Sequence, residues 1–126
     1  MAEITDLQAI ENSLKEMLKA QAPHLQIRTD SPTNFEAAGT KPAMQGKQKV
    51  NGFYFASVMP KPKDVRFYFF PIYTHPDAFS DISDEFRKCL KGKSCFHIKK
   101  MSPGLKDEIE AAIQKGVELY QKDDLI

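Results

Sequence analysis

A chain of 126 residues, 41% hydrophobic and 28% charged, is long enough to close one hydrophobic core and too apolar to stay disordered. Eighteen Lys and Arg against seventeen Asp and Glu leave a formal charge of +1, so neither nucleic acid nor a strongly acidic partner is implied. No apolar run reaches the length of about 18 residues that crosses a bilayer, and two cysteines are too few for a disulfide scaffold.

The chain opens acidic and amphipathic where a secretory signal is basic and then apolar, so a single cytoplasmic domain with free thiols and no membrane partner is expected. Thr5 and Gln8 stand at capping-box spacing. Behind them Leu7, Ile10, Leu14, Met17 and Leu18 recur at three- and four-residue steps. That stripe predicts an amphipathic helix over residues 6–20, closed before Pro23. Residues 25–29 and 35–38 are short extended pieces, bounded by the turn signals Ser31-Pro32-Thr33-Asn34 and Gly39-Thr40-Lys41-Pro42. They are expected to make a first strand or a small hairpin.

Residues 52–59 and 65–73 are aromatic and β-branched, and the segment from Pro60 to Asp64 between them cannot continue a strand; together they predict a β-hairpin. Alternate-residue counting puts Phe53, Phe55, Val65, Phe67 and Phe69 on one face, taken as core. Tyr54, Ala56, Val58, Arg66, Tyr68 and Phe70 fall on the other, expected to be partly covered by a loop, a helix or another chain.

Residues 76–90 carry Phe79, Ile82, Phe86, Cys89 and Leu90 at helical spacing, acids early and bases late. Ser83 can restart the helix after a break, and Gly92 suits a left-handed cap. Residues 94–99 alternate, with Phe96 and Ile98 facing one way and Cys95, His97 and Lys99 the other, as in a strand. Ser102-Pro103 opens a last helix with the stripe Leu105, Ile109, Ala112, Ile113, Val117 and Tyr120. Gly116 inside it costs roughly 1 kcal/mol against Ala, which marks close packing or a tolerated defect. A frayed tail is expected over residues 123–126. The fold class is α+β: an antiparallel sheet of about four or five strands packed against N- and C-terminal helices, with a further short helix before the last strand.

Three segments stand out together: Gly52-Phe-Tyr-Phe-Ala56, Phe67-Tyr-Phe-Phe-Pro-Ile-Tyr-Thr74, and Cys89-Leu-Lys-Gly-Lys-Ser-Cys-Phe-His-Ile-Lys-Lys100. With the order of elements, they resemble bacterial members of the YdhG-like family, a domain of unknown function, over nearly the whole chain. The resemblance implies an α+β domain with an antiparallel sheet against helices. One branch of that family is described as a frataxin-like intracellular iron chaperone. Frataxins rely on an acidic ridge, and the nearest match here is Asp77, Asp81, Asp84 and Glu85, interleaved with core residues.

Candidate chemistry is sparse. Cys95 and His97, two apart on a strand, project from one face and suit zinc or copper, with Cys89 as a third ligand if the helix end folds back. No second pair of that spacing exists, and a free cysteine is usually a small buried hydrophobe. A Cys nucleophile with a His base needs contact and an orienting third group, which the spacing does not supply. Lys88, Lys91, Lys93, Lys99 and Lys100 form the densest basic cluster, where Gly92 would let backbone amides approach an anion between Lys91 and Lys93. The plainer reading is a solvated helix end and a protected sheet edge. Tyr54, Tyr68, Tyr73 and His75 with Arg66 are expected to line a groove on the second sheet face, or simply to stabilise the sheet as cross-strand pairs. An exposed apolar second face would also favour a homodimer. The expectation is a non-catalytic binding domain for a small anionic ligand or protein partner, with no cofactor; metal handling is the alternative, and an enzyme ranks third.

Overall fold

The computed structural model describes residues 5–45 and 47–126. Residues 1–4, part of the acidic start, and Gly46 lie outside the described residues. In chain order the elements are α1 (Leu7–Lys19), β1 (Gln26–Ser31), β2 (Asn34–Ala38), β3 (Ala43–Gln45), β4 (Gln48–Val50), β5 (Tyr54–Pro60) and β6 (Val65–Phe69). Then come α2 (Pro71–Thr74), a 3-10 turn at Pro76–Phe79, α3 (Asp84–Cys89), β7 (Cys95–Ile98) and α4 (Pro103–Lys122). Five antiparallel strands form one sheet in the order β1-β2-β5-β6-β7, and β3 and β4 pair as a separate ribbon. The fold is α+β, with α1 packed on β5 and β6, and α4 against the other three helices.

Register decides which face is core. Val58 pairs with Phe67 and Ala56 with Phe69, while Phe67 pairs with Phe96 and Val65 with Ile98. Paired residues share a face, so Ala56 and Val58 belong with the phenylalanines, opposite to the face expected by alternation. The cause is a bulge. Ala37 faces Ala56, but Ala38 faces Tyr54, leaving Phe55 as the extra residue. Phe55 and Ala56 both reach the core and are fully buried, whereas Phe53 is only half-buried. The helices close this face with Ile10, Leu14 and Leu18 from α1 and Ile109, Ile113 and Tyr120 from α4.

The predicted elements were adjusted where local chemistry competed with pattern. Asp6, not Thr5, is the N-cap of α1, without a side-chain bond, and Gln8 donates to Asn12 at 3.2 Å. The run expected as strand to Tyr73 leaves the sheet after Phe69. Pro71 has no amide to give a ladder and instead opens α2. The helix expected over 76–90 breaks as anticipated at Ser83, whose Oγ accepts the Phe86 amide at 3.1 Å. Gly92 makes no left-handed cap: α3 ends through an extended Leu90, and the Lys91 amide donates to the Cys95 carbonyl at 2.9 Å.

The tail is not frayed. Leu125 N–H donates to the Tyr120 carbonyl and Asp124 N–H to Gln121, with Asp124 at φ 62°. This is a Schellman closure of α4. Lys41 N–H then donates to the Leu125 carbonyl, pinning the tail to the loop after β2. Gly39 is there because a side chain would collide with that carbonyl. Gly116 is close packing: a Cβ would meet the Phe55 ring and Pro71 at 3.0 Å.

Candidate functional site

The sheet's second face is built from the alternate residues of the same strands. Across it, Ser57 pairs with Tyr68 and Tyr68 with Cys95, while Met59 pairs with Arg66 and Arg66 with His97. Tyr54 joins at one end, its hydroxyl donating to Ser57 Oγ at 2.7 Å. Three of the residues expected to line a groove here, Tyr54, Arg66 and Tyr68, do share this face. With Ala56 and Val58 turned to the core, the face is polar.

Tyr73 and His75 follow the turn into α2 and are not strand residues of this face, although Phe70 packs on Tyr54 with ring centroids 5.4 Å apart and so links Tyr73 to its edge. Tyr73 lies against Phe70 with ring centroids 5.5 Å apart, and the Lys93 ammonium sits 5.6 Å above the Tyr73 ring. His75 pairs with Asp123 at 2.8 Å, linking the end of α2 to the end of α4. Lys91 and Lys93 therefore serve different neighbourhoods. Lys91 turns into a cleft that Lys93 does not line. A Cβ on Gly92 would meet nothing, so no close backbone approach singles this glycine out.

The cleft has a volume of about 580 Å³ and lies between α3, β7 and the start of α4. Lys88 comes from α3, Lys91 from the turn after it, and Lys99 and Lys100 from the loop after β7. All four are exposed at their residues. His97 enters from β7, Asp64 from the β5–β6 loop, and Glu85 from α3; Cys89 supplies apolar surface, and the almost fully buried Leu105 also borders the cleft. Four ammonium groups thus face two carboxylates. Both carboxylates have other partners: Arg66 Nε donates to Asp64 at 3.1 Å, and Ser102 Oγ to Glu85 at 2.9 Å. The lysines hold a local excess of positive charge that their neighbours do not neutralise, so the cleft suits an anion.

The walls are held by side-chain links. Ser102 caps α4 by accepting the Leu105 amide at 3.1 Å while binding Glu85 of α3. In return Glu108 of α4 accepts the Ser83 amide at 2.7 Å at the start of α3. Asp64 is buried at 6% exposure, and its Oδ2 lies 3.6 Å from His97 Nδ1. It therefore ties the β5–β6 loop to β7. Sequence reasoning found the basic cluster but missed Asp64 and Leu105. Asp64 reads locally as a turn residue and Leu105 as core stripe, and only tertiary contact brings them to the cleft.

Metal and nucleophilic chemistry find less. Cys95 and His97 share the second face as expected, but Cys95 lies against Tyr68 and His97 against Asp64. Among the described residues no three His, Cys, Asp or Glu side chains converge on a metal position. Cys89 and His97 line the same cleft, with Asp64 beside the imidazole. Yet the Cys89 thiol donates to the Glu85 carbonyl at 3.5 Å, and burial, with Glu85 nearby, pushes its pKa up. An activated nucleophile needs the opposite shift. Both cysteines are free thiols.

Among the described residues no helix is long and apolar enough to cross a membrane. Compared with family models, curated proteins and solved structures, the chain matches none. The YdhG-like resemblance stands on the quoted segments alone.

Proposed function

We propose that this is a cytoplasmic, non-catalytic binding domain, of the kind the YdhG-like resemblance suggests, which holds a small anionic ligand in the Lys-rich cleft. The observation that carries the reading is the convergence of Lys88, Lys91, Lys99 and Lys100 on a cleft of about 580 Å³, within the size range of small-molecule sites. Asp64 is paired with Arg66, so the four ammonium groups outnumber the one carboxylate, Glu85, that among the described residues is left with no cationic partner of its own beyond them. The Tyr-lined second face is a weaker candidate, since Tyr54 already donates to Ser57. Calorimetric titration with inorganic phosphate tests the reading. Affinity should fall as salt rises. The double variant Lys88→Gln, Lys99→Gln should lose about tenfold or more with its Tm nearly unchanged, because both residues are exposed. Equal binding by the variant, or no binding by the native protein, overturns the reading.

A further inference from the structure

Resting on that anion-binding reading, we infer that the ligand is amphiphilic: an anionic head held by the lysine ammonium groups, joined to an apolar body that lies on Cys89 and the lysine stems. Three observations lead there. A cleft of about 580 Å³ is far larger than inorganic phosphate, so a bare anion would leave most of it to water. Beside the charged groups, the cleft has apolar lining. Cys89 lines it and is half-buried, with its hydrogen directed to its own helix. Burial keeps the Cys89 thiol protonated at neutral pH, so it presents neutral sulfur to the cleft. The ammonium groups, by contrast, belong to exposed residues at the rim, and lysine stems extend apolar surface from the floor toward those charges.

The arrangement also separates this ligand class from its competitors. A nucleotide would seek an aromatic ring to stack on, and among the residues lining the cleft the only ring is the His97 imidazole. A compact polyanion filling the cleft would place charge near the Asp64 carboxylate, which is unfavourable. A single head group with an alkyl or similar body meets neither difficulty.

Calorimetry with octyl phosphate, kept below micelle formation, and with inorganic phosphate tests the inference on the intact protein. Octyl phosphate should bind about tenfold tighter or better, since each buried methylene contributes favourably. Cys89→Ser, which makes the floor polar, should reduce that advantage about threefold and leave inorganic phosphate unchanged. Lys99→Gln should weaken both ligands, with Tm followed to confirm that each variant folds. Equal affinity for the two phosphates, or an alkyl advantage untouched by Cys89→Ser, overturns the amphiphile while the anion site stands. No binding of either phosphate overturns both. Sedimentation with phosphatidic acid vesicles assigns the source: pelleting reversed by octyl phosphate places the head group on a lipid, and no pelleting places it on a soluble amphiphile.

Discussion

Gly116 looks like a defect in the last helix, and the residue-scale packing reverses that judgement. Replacing it by Ala would gain roughly 1 kcal/mol of helix propensity. The new Cβ, however, would press on Phe55 and Pro71 at 3.0 Å, and Phe55 is fully buried and cannot yield. Gly116→Ala should therefore lose about 1 kcal/mol net in urea melts, and Gly116→Val more than about 2 kcal/mol. A half-buried tyrosine and a fully buried one set the behaviour in base. Burial pushes the Tyr54 phenol from 10.0 up to about 12 and raises Tyr120 further, whose hydroxyl donates to the Tyr54 carbonyl. These raised values contribute stability that is complete below pH 10. It is lost as pH climbs toward 12, where the unfolded chain gives up protons that the folded one must keep. Tyr54 alone accounts for a loss on the order of 2 kcal/mol, and melts at stepped alkaline pH should show it. The sequence revealed the apolar stripe that Gly116 interrupts, but not its neighbours. Asp64 was less legible still, because nothing in Pro60 to Asp64 distinguishes a buried carboxylate from an ordinary loop acid.

Elements were legible where local chemistry and pattern agreed. Ser83 and Ser102 cap helices as their hydroxyls suggest, and the stripe of α4 is buried throughout. Where a single residue overrules a pattern, alternation misleads: the bulge at Phe55 exchanges the faces of Ala56 and Val58, and Pro71 converts the end of a strand into a helix. The ribbon of β3 and β4 was not anticipated, since three-residue strands carry too little periodicity to register. The caps give two tests. Ser102→Ala removes both the acceptor for Leu105 and the link to Glu85, and should cost about 1 kcal/mol of stability. Asp124→Gly should stabilise by about 0.5 kcal/mol, because the Schellman position at φ 62° favours glycine. A Tm that falls in this second variant would mean that the Lys41 ion pair with Asp124, at 2.5 Å, outweighs the backbone term.

At the scale of the whole molecule, a net charge of +1 conceals an uneven distribution. Seven of the eighteen Lys and Arg line the cleft or the adjoining hollow at Lys61, Lys63 and Arg66, and among the described residues Asp64 and Glu85 are the only acids with them. The remainder of the chain is therefore net acidic, and an approaching anion meets one favourable face. Composition alone hid this, because it averages over surfaces that folding separates. The lysine cluster itself was legible, but its partition was not: Lys91 joins Lys88, Lys99 and Lys100 in the cleft, while Lys93 turns to Tyr73. A backbone amide map of the protein titrated with inorganic phosphate tests this account most directly. Shifts should concentrate on residues 88–91 and 97–100 and shrink as salt is added. Shifts concentrated instead on Tyr54, Ser57 and Tyr68, or none at all, would contradict it.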